Sequence, residues 1–414
     1  MKKSGQARTW IVSTATLVFS AACQLISLLI LARAIGAEDY AVIVAVGAAV
    51  SIGHEIVGLG GGELVIRAMA NNRGAYREYS GHAWSAVLAT LPIVALGGIL
   101  ITLSAYAIEL PVEIVIALMI SELAAARCIA LSEHIALAHK DALRANQARV
   151  YAAGSRLILI CIACFVFGVS SIEGWWPWQF FYGLVFTPLI SIAVIHVYGR
   201  PVFRLDWSKA RRAAPFSATQ IIRAINNNLD RFIVGAAAAA AVLGSYGVAA
   251  RLAHQSLLPI SALLRIAYPE FFSRGAKGGV RATLAYAFKL WAPSLAIAGC
   301  IAAALFFIGP IFVYLLGEDF APLQEILPWF APLPIAVVTQ YLFGDSLTAA
   351  DLKGRRIAVQ LIGLCLTALF IWIGVSQFGA IGAAKGLVVA TSSTALLMMM
   401  MAIVSARLAP PQSA

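Results

Sequence analysis

The sequence carries very little charge: Asp, Glu, Lys and Arg make up 12% of its 414 residues, while apolar residues make up 61%. A soluble protein of ordinary composition has about 25% charged residues. Because domain cores of the usual size cannot hide so much apolar surface, the composition excludes a soluble globular fold. The mean hydropathy of +0.87 predicts an integral membrane protein instead. At about 20 residues per span, the length suits about a dozen transmembrane helices.

Cysteine is scarce as well, and its positions give no information about the redox compartment. All six cysteines fall in apolar runs, where thiols behave as small hydrophobic groups. Cys161 and Cys164 form a CxxC pattern, but neither a second pair nor a histidine lies near them. We therefore predict no metal centre and no cofactor.

Twelve apolar runs follow one another along the chain. The first continues for about 25 residues to Ile35, which is longer than the apolar core of a signal peptide. The other eleven lie near residues 40–66, 83–107, 112–138, 150–170, 178–198, 216–236, 242–268, 285–315, 326–349, 357–376 and 382–405. The pattern predicts twelve transmembrane helices.

Lys and Arg collect in every second loop, as they do when cytoplasmic and outer loops alternate. The most basic loop follows the sixth run and contains Arg200, Arg204, Lys209, Arg211 and Arg212. The alternate loops, such as 108–113 and 171–173, contain no cation. We therefore expect both termini in the cytoplasm. Most of the net charge of +11 is then a topology signal rather than a surface for nucleic acid.

The most basic loop also lies at the midpoint of the chain. We predict an N-terminal six-helix lobe at 1–198, a basic cytoplasmic linker at 199–214 and a C-terminal six-helix lobe at 215–414. Two short similarities relate the halves: residues 34–40 to 241–247, and residues 138–144 to 350–356. A parallel repeat of this kind is typical of transporters, whose substrate site lies near the midplane between the halves. Chance recurrence of turn residues is the alternative.

Several arginines fall inside the apolar runs, where a charge costs about 3 kcal/mol even on a lenient insertion scale. They are Arg127, Arg156, Arg223, Arg231, Arg251 and Arg265. Pairing with nearby acids is one explanation, for example Glu122 with Arg127 and Asp230 with Arg231. The other explanation is a polar interior that contains a ligand.

Helical spacing favours such an interior. Arg223 and Asn227 lie on one stripe of the seventh run, and Arg251 and Arg265 lie on one broad face of the eighth. We expect these faces to line a water-filled cavity. Because arginine binds phosphate oxygens in a bidentate manner, the cationic excess predicts an anionic ligand. The predicted substrate-binding residues are Arg223, Arg251, Arg127, Arg156, Arg265 and Asn227.

Four acidic side chains also lie at depth, and each could bind a proton or a sodium ion. They are Glu55, Glu63, Glu122 and Asp230. Among them, Glu55 has only His54 beside it and is the residue we expect to take up a proton. We interpret His54, His134 and His254 as packing or hydrogen-bonding residues. The glycines at 58 and 60–62 predict close helix packing or a bend, not a phosphate-binding loop.

Short motifs are spread over essentially the whole chain. They are LARAIGAEDY at 31–40, NLDRFIVG at 228–235, GSYGVAARL at 244–252, GEDFA at 317–321 and GAIGAA at 379–384. In this order they resemble bacterial polysaccharide flippases, which belong with multidrug extruders and lipid II flippases in one superfamily of exporters. Two features depart from these families. Ala41 stands where polysaccharide flippases usually have glycine, and only twelve helices are predicted, whereas lipid II flippases have fourteen.

The resemblance implies a V-shaped bundle of two six-helix lobes in the bacterial inner membrane. It implies that the protein carries an undecaprenyl-diphosphate-linked oligosaccharide outward by alternating access, as in O-antigen or exopolysaccharide synthesis. The diphosphate would meet the arginines, and the polyprenyl tail would stay in lipid between the lobes. Polymerase and glycosyltransferases of the same pathway would be its partners.

Three other functions stay open. A multidrug cation antiporter has the same fold class, but cationic drugs favour acidic and aromatic walls. A membrane-embedded glycosyltransferase or glycan polymerase would need a large outer loop or a cluster of catalytic carboxylates, and the sequence shows neither. A structural membrane scaffold is the third. We therefore predict a transporter rather than an enzyme.

Overall fold

The structure is a computed structural model that describes the backbone of residues 2–409. Within this range the description leaves out the side chains of residues 2–14, 17, 71, 73, 214–216, 218, 219, 262, 265 and 266. Every regular element in the described range is helical. The predicted all-α class is confirmed for this part of the chain.

The chain divides into two compact units, Met1–Asn228 and Leu229–Ala414. The first contains α1 (Lys2–Ile56), α2 (Gly61–Asn71), α3 (Tyr76–Ala105), α4 (Val112–Ala138), α5 (Ala142–Cys161), α6 (Ile172–Phe181), α7 (Thr187–Tyr198) and α8 (Trp207–Asn226). The second contains α9 (Leu229–Gly235), α10 (Ala240–Gln255), α11 (Leu258–Phe307), α12 (Gly309–Leu316), α13 (Ala321–Ile326), α14 (Leu333–Ala349) and α15 (Lys353–Leu408). Short π-helical turns at Ile162–Val166 and Tyr182–Phe186 extend α5 and join α6 to α7.

The six-helix lobes predicted at 1–198 and 215–414 and the basic linker predicted at 199–214 stay a prediction. In the structure, the boundary between the two compact units falls between α8 and α9, inside the seventh apolar run. The physical reason is packing, because α8 lies against α1 and α2. The arginine stripe of that run is therefore divided: Arg223 and Asn227 belong to the first unit, and Asp230 and Arg231 to the second.

Glycines with positive φ interrupt the longest helices. A straight helix of 55 residues, the length of α1, would extend about 80 Å, whereas the hydrocarbon core is about 30 Å thick. Gly36 (φ 79°) breaks α1, Gly279 (φ 56°) breaks α11 and Gly379 (φ 59°) breaks α15. The two parts of α15 fold back on each other so closely that a Cβ on Gly382 would lie 1.8 Å from the carbonyl oxygen of Gly374.

Within the described range, seven helical stretches are long and apolar enough to cross a membrane. They are Val18–Ala70, Tyr76–Ala105, Val112–Ala138, Ala142–Val166, Ile172–Tyr198, Ala267–Phe307 and Lys353–Leu408. The bent pair Glu318–Phe330 and Leu333–Ala349 would make an eighth. The chain is thus a multi-pass membrane protein. The count of twelve helices and the cytoplasmic side of the termini stay predictions.

One helix forms the centre of each unit. In the first unit α4 contacts α1, α2, α3, α5, α6 and α7, and its Leu123, Leu131 and Ile135 are fully buried. In the second unit α14 packs against both α11 and α15, with Phe343 and Leu347 fully buried. Because α4 packs against six other helices, the charged residues in its middle, Glu122 and Arg127, must be accommodated inside the unit.

Candidate functional site

The most irregular backbone of the first unit lies between α1 and α2. Gly58, Leu59 and Gly60 have φ values of 78°, 49° and 71°, so the helix is interrupted inside the candidate span Val18–Ala70. We call residues 57–60 the helix break. The amide of Gly58 donates a hydrogen bond to Thr90 Oγ1 at 2.9 Å, which satisfies a donor that the interrupted helix leaves free. Broken helices at membrane depth commonly line binding sites in transporters.

Arg127 lies directly against this helix break. Its side chain is only 5% exposed, and Nη1 donates to the carbonyl oxygen of His54 at 3.2 Å. A Cβ on Gly58 would lie 2.8 Å from Nη2. The charges of Glu63 and Glu55 both act on the guanidinium. Arg127 is therefore a buried, compensated cation that supports the interrupted helix.

Arg156 is paired as well. Its Nη2 donates to Glu122 Oε1 at 2.5 Å, and the guanidinium lies 5.8 Å from the centre of the Tyr182 ring. The pairing that the sequence suggested for Glu122, with Arg127 on the same helix, is thus replaced by a pairing between α4 and α5. Such a pair satisfies both charges within the first unit.

Glu63 lies at the start of α2 and faces His134 of α4. His134 Nδ1 is 2.6 Å from the carbonyl oxygen of Ala130, and since a carbonyl only accepts, Nδ1 carries a proton. The other nitrogen, Nε2, lies 3.7 Å from Glu63 Oε1. Glu63 and His134 thus form a polar contact between α2 and α4.

Arg223 and Asn227 lie near the end of α8 and are both exposed. Neither side chain forms an ion pair or hydrogen bond with another residue that the structure describes. The charge of Arg223 acts on Glu55, which is itself partly exposed. Arg223 is therefore a cation in the first unit that has no fixed partner among the described residues.

In the second unit, the buried polar centre is Asp230. The residue is 1% exposed, and Tyr246 of α10 donates its hydroxyl to Oδ2 at 3.0 Å. His254 lies within electrostatic range of Asp230 and Arg231. Asp230 is thus tied into a local network inside its own unit.

Arg251 lies on α10 and is partly buried. Among the described residues it has no ion pair, in contrast to Arg156. The side chain of Arg265 lies outside the described residues, so its predicted role cannot be compared with the structure. Within the described part, no three His, Cys, Asp or Glu side chains are arranged to hold a metal ion.

Sequence reasoning missed the residues that complete these clusters. Tyr246 and Tyr182 lie inside apolar runs, where their hydroxyl groups do not stand out in the sequence. Thr90 lies on α3, far from the helix break in sequence. His134 was interpreted as a packing histidine, although it faces Glu63. One signal did point to the site: the glycines at 58 and 60–62 predicted a bend, and the structure confirms an interruption there.

The chain matches no protein-family model and no curated protein sequence. It does resemble solved structures over nearly its whole length. An inward-facing multidrug resistance MATE family transporter of the MOP superfamily matches with a TM-score of 0.78 at 15% identity, covering 96% of this chain and 98% of the other. An outward-facing structure of such a transporter matches with a TM-score of 0.63 at 16% identity, covering 96% and 95%.

A third match is a MOP superfamily transporter from Pyrococcus furiosus, described as having a binding pocket of reverse polarity. Its TM-score is 0.61 at 16% identity, and the match covers 96% of this chain and 93% of the other. At such low identity these likenesses establish the fold alone. The chain thus has the fold of MATE transporters of the MOP superfamily. Because one fold can serve different functions, the substrate depends on the side chains of this chain.

Proposed function

We propose that this protein is a flippase that moves an undecaprenyl-diphosphate-linked oligosaccharide from the inner to the outer leaflet by alternating access. The fold supports transport, because similar structures exist in inward-facing and outward-facing forms. The observation that supports an anionic substrate is that the arginines differ in their surroundings. Arg156 is paired with Glu122, and Arg127 is buried within electrostatic range of Glu55 and Glu63, whereas Arg223 and Arg251 are less buried and form no ion pair with another described residue.

A cation without a partner is costly at membrane depth unless it meets water or an anion. A diphosphate supplies oxygens that guanidinium groups bind bidentately. We therefore propose that Arg223 in the first unit and Arg251 in the second each bind phosphate oxygens, with Asn227 as a further donor in the first unit, and that Arg127 and Arg156 have a supporting role. Outward movement of the anion is favoured by an inside-negative potential, at about 2.3 kcal/mol per charge per 100 mV. The protein would act in the bacterial inner membrane, beside the polymerase and glycosyltransferases of its pathway.

A multidrug antiporter is the second candidate, because it fits the fold equally well. Glu55 and Glu63 are the observation in its favour, since both are partly exposed and acidic walls suit cationic drugs. Their charges, however, act on Arg127, and Arg223 acts on Glu55. Two acids and two arginines leave no net negative charge in this cluster.

The experiment is a flipping assay in vesicles that contain the purified protein and a fluorescent undecaprenyl-diphosphate-linked oligosaccharide. We expect Arg223→Ala and Arg251→Ala each to lower the flipping rate at least about tenfold, which corresponds to about 1.4 kcal/mol. Arg223→Lys and Arg251→Lys should retain part of the rate, because a point charge replaces the bidentate fork.

Arg274→Ala is the matched control, because Arg274 is an exposed arginine that already pairs with Glu270 at 2.7 Å. It should flip the substrate at the unaltered rate. Unchanged flipping in both alanine variants would overturn the assignment of the diphosphate to these arginines. Proton-linked export of a lipophilic cation without any glycan flipping would identify the antiporter instead.

A further inference from the structure

The segment between α7 and α8 has a fixed conformation. The amide of Val202 donates to the carbonyl oxygen of Arg77 at 2.8 Å, and the Tyr76 hydroxyl donates to the carbonyl oxygen of Gly199 at 3.1 Å. Close packing reinforces these bonds, since a Cβ on Gly81 would lie only 1.8 Å from the carbonyl oxygen of Val202. The segment is therefore held against the first turns of α3.

This fixed segment presents apolar side chains to the outside. Val202 is 49% exposed, Phe203 60% and Trp207 64%. Because backbone bonds to α3 hold the segment, these side chains cannot simply turn inward. Apolar side chains that are held exposed in this way indicate contact with an apolar or amphipathic environment outside the protein.

Four arginines surround the apolar group. They are Arg200, Arg204, Arg211 and Arg212, all exposed, and none forms an ion pair with another described residue. We call these arginines, with Val202, Phe203 and Trp207, the linker patch. The nearby Lys209 does not belong to it, because Lys209 is buried and pairs with Glu78 and Asp206.

The only acidic side chain in the segment is already engaged. Asp206 accepts hydrogen bonds from the amide and hydroxyl of Ser208 at 2.9 Å and 2.7 Å, which caps the N-terminus of α8. The hydrogen bond from the Ser208 hydroxyl lowers the pKa of the Asp206 carboxyl group to about 2. The carboxylate therefore stays ionised and bonded to the first turn of α8. The linker patch thus keeps an excess of positive charge.

The linker patch also lies at the level of the membrane surface. It begins directly after Tyr198, the end of one candidate span, and is bonded to Tyr76 and Arg77, where another candidate span begins. Aromatic side chains favour this interfacial zone, and basic side chains next to spans attract anionic lipid headgroups. The positive charge of the linker patch, its exposed apolar side chains and its position next to two candidate spans therefore all favour contact with the membrane surface.

We propose that the linker patch binds anionic phospholipid headgroups of the adjoining leaflet, which the loop charges assign to the cytoplasmic side. Phe203 and Trp207 lie among the headgroups and upper acyl chains, and the four guanidinium groups bind lipid phosphates. This binding holds the start of α8 at the membrane surface. It does not depend on which substrate the protein transports.

The test is fluorescence quenching of Trp207 by brominated lipids in nanodiscs that contain the full chain. The contribution of Trp207 is the difference between the unaltered protein and Trp207→Phe. We expect brominated phosphatidylglycerol, mixed into phosphatidylcholine, to quench Trp207 at least about twofold more than the same fraction of brominated phosphatidylcholine. The excess should disappear in molar salt, where the Debye length falls to about 3 Å, and in a variant with all four arginines changed to Gln.

Trp372 supplies the matched control, because it is 62% exposed in the apolar helix α15. The signal lost in Trp372→Phe should show equal quenching by both lipids at any salt concentration. If the arginine variant fails to fold, the salt titration of the unaltered protein still decides. Equal quenching of Trp207 by the two lipids would overturn the proposal, and an absence of quenching would show that the patch faces water or a protein partner.

Discussion

Arg127 and Arg223 show how one residue type takes two roles in the same unit. Arg127 is buried against the helix break, and Glu55 and Glu63 compensate its charge. Arg223 is exposed at the end of α8. A buried charge without compensation would cost several kcal/mol, so the position of Arg127 required acids nearby. The surroundings of each arginine, rather than its presence in an apolar run, determine whether it can bind a ligand.

The Glu63–His134 pair leads to a prediction about coupling, which we propose is driven by protons. If this pair couples transport to protons, the transport rate of the unaltered protein should change with pH in vesicles. Glu63→Gln and His134→Gln should each make the rate nearly independent of pH, because each variant replaces one side of the Glu63–His134 contact. The measurement is the initial flipping rate across a pH series with no gradient imposed.

Glu133→Gln is a suitable control for this series. Glu133 is adjacent in sequence but pairs with Arg149, so the pH dependence should survive the change. Replacement of sodium by potassium should leave the rate unaltered. A rate that needs sodium, or that keeps its pH dependence in both variants, would assign coupling to another carboxyl such as Glu55, Glu122 or Asp230.

At the scale of elements, glycines determine where the long helices break and where their backbones approach closely. Glycines allow positive φ values without a steric penalty, and they allow backbones to approach closely, as Gly374 and Gly382 do in α15. The GAIGAA motif at 379–384 therefore has a structural reason: it contains the break at Gly379 and the close contact at Gly382. In α1 and α2 the break has a second consequence, because it places Arg127 against the interrupted backbone.

Gly58→Ala should destabilise the first unit. The substitution forces a left-handed conformation that costs about 1–2 kcal/mol for a residue with a Cβ. The new methyl would also lie 2.8 Å from both Arg127 Nη2 and Val87 Cγ2. We expect a lower melting temperature of the detergent-purified protein, measured by tryptophan fluorescence.

Gly97→Ala provides the comparison, because Gly97 is helical in α3 and a Cβ there would meet nothing within 4 Å. Alanine should stabilise that helix by about 0.5–1 kcal/mol. A melting temperature for Gly58→Ala that equals or exceeds that of Gly97→Ala would contradict the strain argument.

At the scale of the whole molecule, a shared turn favours the predicted repeat. Lys140 and Asp351 both have φ of 61°, directly after α4 and α14. The residue that follows each donates to a carbonyl oxygen five positions earlier, Asp141 to Ala136 at 3.0 Å and Leu352 to Leu347 at 2.9 Å. The backbone therefore pairs Lys140 with Asp351, one position away from the register that sequence similarity suggested.

This repeat predicts a common orientation for the two turns. Single cysteines at Lys140 and Asp351, in a background without the six native cysteines, should react with an impermeant maleimide only from the cytoplasmic side. Cysteines at Glu109 and Glu318 should react from outside. Reaction of the first two from opposite sides would contradict both the parallel repeat and the twelve-helix topology.

The sequence by itself determined the class of this protein. An apolar content of 61% can be dissolved only in lipid, and helices satisfy their own backbone groups there, so the all-α membrane fold followed from composition and periodicity. The glycines at 58 and 60–62 likewise predicted close helix packing or a bend, because glycine lets backbones approach closely in lipid. These inferences succeeded because each depends on local chemistry.

Only the tertiary structure decided which charges are paired. Arg156 meets Glu122 across two helices, His134 meets Glu63, and α8 joins the first unit despite following the basic linker. Partners that lie 34 or more residues apart in sequence leave no trace in local spacing. The physical reason is that a buried charge is stabilised by whatever packing brings near it, and helix packing is a property of the assembled bundle.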